Sequence, residues 1–209
     1  MDGASSDATV SILERNAPYV KYWESQKDRG IAHAWNKSLE HVIGDWVIFL
    51  GADDYFQDEC VLSDMADVLG RDTLSDVVSG KIVIDGGTSH GLIMGGVSDL
   101  RVLKRRMVIA HTATFQRRTF FEEVGKFDET FKIAADYELF LRKKSLTASF
   151  VDRGVCVMGG EGVSSRLISS TLLEFRAAQI KNSVENRFMI EAWHTYYQLR
   201  HRFNLWRKS

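Results

Sequence analysis

Two adjacent aspartates, Asp53 and Asp54, stand shortly after the apolar run Trp46–Leu50. A continuous run of β-branched and aromatic residues is typical of a strand buried on both faces, as in a parallel sheet. The two carboxylates would then lie where the strand ends, at the edge where α/β sheets bind ligands. Adjacent carboxylates need a cation or very good hydration, and their hard oxygen atoms suit Mg²⁺ or Mn²⁺. The pair therefore predicts a divalent-cation site, with a solvated acidic loop as the alternative.

A third carboxylate, Asp136, falls in the first turn of a helix predicted from Ala134 to about Lys144. A carboxylate in this position can simply complement the positive end of the helix dipole. It can also act as a general base that accepts a proton from an acceptor hydroxyl. This segment by itself favours the dipole role.

The elements that position these carboxylates alternate between helix and strand along the chain. Apolar residues at helical spacing predict helices over 8–15, 31–43, 61–69, 118–124 and 169–192, the last continued by an aromatic and basic segment at 193–208. Extended patterns predict strands over 20–23, 46–50, 77–84, 91–94, 113–116 and 150–158. The alternation predicts an α/β fold in which helices flank a sheet.

The net charge of the 209 residues is only −1, but the charge is unevenly placed. Residues 1–65 carry twelve acidic and five basic side chains, a net charge of −7. Residues 176–209 carry seven basic and two acidic side chains, a net charge of +5. The acidic front predicts a site that needs carboxylates, and the basic tail predicts contact with an anionic partner. Aromatic residues interleave with the tail cations, which suits a membrane interface and equally suits a helix packed on the domain or in a dimer.

Composition argues against several classes of protein. A nucleic-acid-binding protein is usually basic, so the near-neutral charge argues against that class. Cys60 and Cys156 form no CxxC motif and fit a reducing compartment. The first residues show no signal-peptide pattern, and no apolar run is long enough to span a bilayer. These features predict a cytoplasmic protein, at the inner face of the membrane if the tail binds lipid.

Several short motifs follow one another over residues 1–165. They are Asp2-Gly3-Ala4-Ser5-Ser6-Asp7, Asp28-Arg29-Gly30, Ala34-Trp35-Asn36-Lys37, Phe49-Leu50-Gly51-Ala52-Asp53-Asp54, Gly125-Lys126-Phe127-Asp128-Glu129 and Ile133-Ala134-Ala135-Asp136-Tyr137-Glu138-Leu139. In order and spacing they resemble the family 2 glycosyltransferases. The segment 159–165 resembles a glycine–serine turn of colanic-acid or exopolysaccharide-type members.

The resemblance implies a Rossmann-like mixed sheet of the nucleotide-diphospho-sugar transferase (GT-A) type over residues 1–165, with a helical tail at 166–209. It also implies an inverting transfer in polysaccharide biosynthesis. A sugar would pass from a nucleotide-diphosphate donor to a hydroxyl of a glycan or lipid-linked acceptor, with Mg²⁺ or Mn²⁺ as cofactor. A metal neutralises the charge that develops on the diphosphate, and inversion needs a base and no covalent nucleophile.

Matching positions carry the implied roles. Asp2 would contact the base of the nucleotide, and Asp28 would help to close the nucleotide pocket. Asp53 and Asp54 would hold the diphosphate through the metal, Asp54 most directly. Asp136 would be the catalytic base. Related members often carry His-Gln where this chain has His111-Thr112, which leaves the role of His111 open.

The resemblance also predicts a departure at the start of the chain. Family members begin with a strand and a helix that form one wall of the nucleotide pocket, whereas this chain opens at the Asp-Gly block. We therefore expect a fold truncated at its N-terminus, with an unpaired sheet edge beside the 46–50 strand or association into a homo-oligomer. Two alternatives stay open. One is a non-catalytic glycosyltransferase-like binding or scaffold module. The other is a nucleotidyltransferase, which would usually show a glycine-rich, basic phosphate loop near its start.

Overall fold

The computed structural model describes residues 1–86, 91, 93–95, 99–159 and 167–207. Within these ranges the α-helices are α1 (Thr9–Asn16), α2 (Ile31–Leu39), α3 (Val61–Arg71), α4 (Arg118–Val124), α5 (Ala135–Arg142), α6 (Ile168–Lys181) and α7 (Arg187–Trp206). The strands are β1 (Trp46–Val47), β2 (Tyr55–Phe56), β3 (Val77–Asp85), β4 (Ile93–Gly95), β5 (Thr114–Arg117) and β6 (Ala148–Gly159). Short 3₁₀ helices cover Ala17–Tyr19, Leu100–Lys104 and His111–Ala113.

The strands form one mixed sheet with the order β1-β5-β3-β6-β2, and β4 also pairs with β3. The central strands β3 and β6 run parallel, from the pair Val77 and Ala148 to the pair Asp85 and Gly159. The other strand pairs that the structure describes are antiparallel. The long β3–β6 ladder therefore forms the centre of the sheet, and the shorter strands lie on either side of it.

Helices cover both faces of the sheet because successive side chains of a strand point to opposite faces. Val77 belongs to a core that contains residues of α2, α4, α5 and α6, including Phe120, Tyr137 and Ala178. The next residue, Val78, belongs to a second core, where Met65 of α3 is buried. The predicted α/β architecture, a mixed sheet flanked by helices, is confirmed.

The apolar run Trp46–Leu50 differs from the prediction of a strand in a parallel sheet. Only Trp46 and Val47 form a strand, and it runs antiparallel to β5. The run does contact both cores, since Val47 and Phe49 lie in one and Trp46 and Ile48 pack against the other. A continuous apolar run reports burial on two faces and not the direction of the neighbouring strand, so the predicted parallel arrangement is wrong.

Two further elements differ from their predictions. The segment 20–23 has no regular structure, and the local pairing is a single parallel bridge between Asp2 and Ser25. The helix predicted over 169–192 is two helices, because α6 ends at Lys181 and α7 begins at Arg187. Ser183, in the turn between them, has a φ of 48°, which is left-handed backbone that an α-helix does not contain.

Some predictions fall beyond what the structure describes. Of the predicted glycine–serine turn at 159–165, only Gly159 is among the described residues. The domain boundary at residue 165 stays a prediction. Within the described ranges, no helix has the length and apolar character needed to cross a membrane.

Candidate active site

A cleft of about 640 Å³ lies beside the end of β6 and the start of α5, and three of the predicted carboxylates line it. Asp53 and Asp54 come from the loop between β1 and β2, and Asp136 comes from the first turn of α5. Much of the remaining wall is apolar and aromatic, with contributions from Ile31, Trp35, Phe49, Ile82, Ile109, Ile133 and Met158. Carboxylates that are far apart in sequence thus meet in one concave, largely apolar site.

Asp54 carries an unsatisfied carboxylate oxygen. Its Oδ2 accepts a hydrogen bond from the Gly51 N–H at 2.8 Å, whereas its Oδ1 is buried and has no hydrogen-bond partner. Burial raises the pKa of Asp54 above its ordinary value, and the neighbouring charge of Asp53 raises it further. A buried carboxylate oxygen without a partner costs free energy that a bound cation would recover. The residue therefore fits the predicted role of a metal ligand.

Two glycines make room for the carboxylate pair. A Cβ atom on Gly51 would lie 2.9 Å from Asp54 Oδ2 and 3.3 Å from Asp53 Oδ1. A Cβ atom on Gly159, at the end of β6, would overlap the carboxylate of Asp53. Glycine at these positions lets the backbone approach both acidic side chains closely, which explains why the loop and the end of β6 can meet here.

The described residues contain no group of three or more His, Cys, Asp or Glu side chains arranged to hold a metal. A two-carboxylate site is still chemically consistent with Mg²⁺ or Mn²⁺, because such ions usually keep water and take substrate phosphate oxygens as further ligands. The donor set of Asp53 and Asp54 therefore fits a cation that binds together with a diphosphate.

Asp136 is half-buried at the entrance to α5. Its Oδ1 accepts a hydrogen bond from the N–H of Tyr137 at 2.7 Å. Burial first, and to a smaller extent the negative charge of Glu174, raise the pKa of Asp136 to about 6. A carboxylate with this pKa is mostly ionised at pH 7 and is a better proton acceptor than an ordinary aspartate. These properties fit the predicted general base.

Lys132 and Ile133 also line the cleft, just before α5. The Nζ of Lys132 donates hydrogen bonds to the carbonyl oxygens of Arg29 at 3.2 Å and Glu129 at 3.0 Å. It thereby joins the segment before α2 to the loop before α5. No role for Lys132 is predicted from the sequence, because a lysine in a loop gives no spacing signal of its own.

Asp2 is not among the residues that line the cleft. Its carboxylate accepts hydrogen bonds from Ser25 Oγ at 2.6 Å and from the N–H and Oγ of Ser5. These bonds, that of Ser25 first, lower the pKa of Asp2 to about 2. The carboxylate thus joins the first loop to the segment around Ser25, and its predicted contact with a nucleotide base stays a prediction.

Asp28 lies next to Gly3 in space, since a Cβ atom on Gly3 would be 3.6 Å from Asp28 Oδ2. Asp28 Oδ1 forms an ion pair with Lys37 at 2.7 Å and lies 3.1 Å from Nδ1 of His33. It does not line the cleft, but Ile31, three residues later, does. The structure therefore brings Asp53, Asp54 and Asp136 together in the cleft and places Asp28 beside Gly3, in the loop that begins with Asp2. The predicted role of Asp28 in closing a nucleotide pocket stays a prediction.

His111 lines the cleft, although the sequence left its role open. Its ring lies 4.7 Å from that of Trp35 and is stacked on Phe49 with ring centres 5.5 Å apart. The Gln116 Nε2 donates to His111 Nε2 at 3.1 Å, and burial lowers the pKa of His111 to about 4. His111 is therefore a neutral wall of the cleft at pH 7.

Comparison with known families and proteins places this site in context. The family model described as glycosyl transferase family 2 matches residues 1–146. A PGL/p-HBAD biosynthesis glycosyltransferase of Mycobacterium tuberculosis (strain ATCC 25618 / H37Rv) is 30% identical over 145 residues, which cover 68% of this chain and 56% of that protein. An uncharacterized glycosyltransferase of the same strain is 29% identical over 169 residues, which cover 79% of this chain and 64% of that protein. The chain thus spans less than two thirds of the length of these relatives.

Solved structures show the same fold. Staphylococcus aureus TarS 1-349 in complex with UDP matches with a TM-score of 0.61 at 19% identity, covering 96% of this chain and 60% of that one. The mannosyltransferase PcManGT from Pyrobaculum calidifontis, in complex with GDP-Man and Mn²⁺, matches with a TM-score of 0.63 at 20% identity, covering 92% and 59%. These are GT-A structures, so the predicted fold class is confirmed, whereas the colanic-acid or exopolysaccharide type stays a prediction. On the match over residues 1–146, this chain belongs to glycosyl transferase family 2.

Proposed function

We propose that the cleft transfers a sugar from a nucleoside-diphosphate donor to a hydroxyl of a glycan or lipid-linked acceptor, with inversion at the sugar. The observation that carries this proposal is the convergence of Asp53, Asp54 and Asp136 on one cleft. Membership of the family supports the reaction class. TarS has been solved with UDP-GlcNAc and PcManGT with GDP-Man, which supports the donor class.

We assign a divalent cation, Mg²⁺ or Mn²⁺, to the pair of carboxylates after β1. Asp54 is the principal ligand because its buried Oδ1 has no other partner, and Asp53 lies beside it. When bound, the cation supplies neutralisation of the charge that develops on the diphosphate leaving group. The complex of PcManGT with Mn²⁺ supports a cation of this kind.

Asp136 supplies the remaining chemistry. An inverting displacement needs one base opposite the leaving group. The carboxylate of Asp136 takes the proton of the acceptor hydroxyl while that oxygen bonds to the anomeric carbon and the bond from this carbon to the diphosphate oxygen breaks. The pKa of about 6 keeps the carboxylate ionised at pH 7 and raises its basicity. The apolar wall of the cleft would limit competing attack by water.

Calorimetric titration with a panel of nucleotide sugars, with and without Mn²⁺, tests the donor and metal assignments. We expect binding that depends on Mn²⁺ and that Asp54→Asn weakens by at least about tenfold without changing the fold. Asp67→Asn, which makes the same change at an exposed position of α3, should bind as the unmodified chain does. Equal binding with and without metal, or by Asp54→Asn, would contradict the metal assignment. Failure to bind any nucleotide sugar would contradict the proposed reaction and favour a non-catalytic module.

We further propose that the chain works at the cytoplasmic face of a membrane through α7. Four side chains, each between 50% and 72% exposed, recur every three or four residues and share one face of this helix, namely Tyr196, Leu199, Phe203 and Trp206. Arg200 and Arg202 lie among them and Arg207 directly follows α7, so this end of the chain is positively charged. Aromatic and aliphatic residues beside arginines suit an anionic lipid surface, where a lipid-linked acceptor would be found.

Flotation with vesicles that contain anionic lipid tests this contact. The double variant Leu199→Ser, Phe203→Ser should lose vesicle binding. Leu62→Ser, at a comparably exposed leucine of α3, should retain it. Equal flotation of all three proteins would contradict the membrane contact. A dimer in light scattering that only the double variant dissociates would assign the same face to self-association instead.

A further inference from the structure

Glu174 of α6 is bound to the loop that precedes α5. Its carboxylate accepts hydrogen bonds from three consecutive backbone N–H groups, those of Lys132 at 3.1 Å and of Ile133 and Ala134 at 2.9 Å each. Successive N–H groups that converge on one anion form a nest, which binds negative charge well. Glu174 lies beyond residue 146, where the family match ends, and no motif in the sequence includes it.

The three residues whose N–H groups bind Glu174 directly precede the first turn of α5, which carries Asp136. Lys132 and Ile133 line the cleft, and Asp136 follows Ala134 by two positions. The first N–H groups of a helix have no partner inside the helix, so the entrance to α5 depends on acceptors from elsewhere. Glu174 binds the three residues immediately before α5. The position of this loop therefore sets the direction of the first turn of α5.

A second contact holds α6 and α5 in register. The buried side chain of Gln179 donates a hydrogen bond to the hydroxyl of Tyr137 at 3.0 Å and another to the carbonyl of Arg105 at 3.1 Å. The Tyr137 hydroxyl donates to the carbonyl of Leu103 at 2.7 Å. Because Tyr137 is adjacent to Asp136, this buried network fixes the far side of the same turn. Glu174 therefore approaches the loop from a helix that is itself held in place.

We propose that Glu174 is a positioning residue for the transfer reaction, which fixes the Lys132–Ala134 turn so that Asp136 faces the acceptor hydroxyl. The inference rests on the proposed function, because it takes Asp136 as the base. Glu174 acts on the reaction through the backbone of the turn and through its charge. It is not among the residues that line the cleft.

The charge of Glu174 predicts a shift in the pH dependence of the rate, which the loss of a purely structural residue would not cause. Burial and then the Glu174 charge raise the pKa of Asp136 to about 6. Removing that charge should lower the pKa of Asp136, so the acidic limb of the rate against pH should move to lower pH. The other titratable groups that line the cleft stay in place in such a variant, namely Asp53, Asp54, His111 and Lys132.

The variant Glu174→Gln removes the charge of this side chain and weakens its contact with the loop, and it should leave the chain folded. Glutamine keeps the shape of the side chain, loses the charge and turns an NH₂ group toward backbone donors. We expect kcat to fall by about 10- to 100-fold and nucleotide-sugar affinity to stay within about twofold. Glu185→Gln removes the same charge from an exposed residue that lies 3.8 Å from Lys104, and should behave as the unmodified chain does.

Hydrogen exchange of the Lys132, Ile133 and Ala134 amides tests the turn without any substrate. These amides should be protected in the full chain and should exchange at least about tenfold faster in Glu174→Gln, but not in Glu185→Gln. If no nucleotide sugar is turned over yet this difference appears, the proposed reaction fails and the positioning of the turn stands. Equal exchange in all three proteins, or an unchanged kcat and acidic limb in Glu174→Gln, would overturn the inference.

Discussion

Replacing Asp136 by asparagine should lower the rate of transfer and at the same time raise the stability of the fold at neutral pH. The side chain is half-buried, and burial raises its pKa from 3.8 to about 6. Asparagine has the same shape and keeps an oxygen for the hydrogen bond that Tyr137 N–H donates at 2.7 Å. The substitution therefore removes the charge and the basicity and leaves the local geometry in place.

The size of the effect follows from the two pKa values. One pH unit of difference between folded and unfolded pKa corresponds to about 1.4 kcal/mol, so a change from 3.8 to about 6 sets an upper limit of about 3 kcal/mol for the cost of the ionised side chain at pH 7. Solvent in the cleft reduces this cost, and we expect a gain of about 1–2 kcal/mol in Asp136→Asn.

The pH dependence has a defined sign. Because the folded pKa is the higher one, the folded chain binds more protons between about pH 4 and pH 6. The unmodified chain therefore loses stability as pH rises through this window, and the loss is complete above it. The difference in stability between Asp136→Asn and the unmodified chain should be near zero at about pH 4, grow up to about pH 6 and stay constant beyond.

Denaturant unfolding of both proteins across this pH range measures the stability difference, and release of nucleoside diphosphate measures the transfer. The rate should fall by about 10²–10⁴-fold in Asp136→Asn, the usual effect of removing a general base. Asp67→Asn, at an exposed position of α3, should leave both quantities unchanged. A stability difference that does not vary with pH would show that Asp136 is not desolvated. Near-normal turnover would show that it is not the base.

A substitution at Gly159 and the titration of His111 test two further features of the cleft. Gly159→Ala should displace the Asp53 carboxylate and weaken Mn²⁺-dependent nucleotide-sugar binding by about tenfold in calorimetry, whereas Gly70→Ala, in open space on α3, should keep binding and add about 0.5–1 kcal/mol of stability. Unchanged binding by Gly159→Ala would contradict the close contact. The NMR signals of the His111 ring should not titrate between pH 5 and pH 8, because burial lowers its pKa to about 4; a midpoint near pH 6.5 would contradict this environment.

The local sequence pattern was sufficient to predict those helices and strands in which buried residues recur at one regular spacing. The apolar spacing at Val61, Met65 and Val68 predicted a helix over 61–69, and α3 covers Val61–Arg71. The predicted strands over 77–84 and 150–158 correspond to β3 and β6, whose ends lie within two residues of the predicted ends. In these segments the side-chain period and the observed burial agree, so little tertiary information was needed.

Features that depend on contacts with a distant segment of the chain could not be predicted from the local sequence pattern. The direction of β1 is set by its partner β5, which follows it by some seventy residues. The break between α6 and α7 is centred on Ser183, whose left-handed φ no apolar pattern reveals. Likewise, three donors from Ser5 and Ser25 occupy the Asp2 carboxylate, although from sequence it reads as an open loop residue.

In the candidate site, the aspartates could be predicted from the sequence, whereas the residue that binds the loop beside them could not. Aspartate pairs and a helix-start aspartate give recognisable signals, and the structure brings Asp53, Asp54 and Asp136 into one cleft. Glu174 gives no such signal, because on a predicted helix a glutamate is an ordinary surface residue. Its contact with the loop before α5 exists only because α6 packs against α5.

The supports of the cleft lie on both sides of the predicted boundary at residue 165, and beyond the matched residues 1–146. Gly159 at the end of β6 accommodates the Asp53 carboxylate, and Glu174 of α6 binds the turn before Asp136. A carboxylate acts in transfer only when it is held to within a fraction of an ångström of its productive position relative to the reacting atoms. On the proposed function, the motif residues supply the chemical groups, and their precise placement depends on residues whose types carry no motif. On the proposed function, a relative that keeps all the aspartates but lacks these two supports should carry the signature of the family and transfer sugar more slowly.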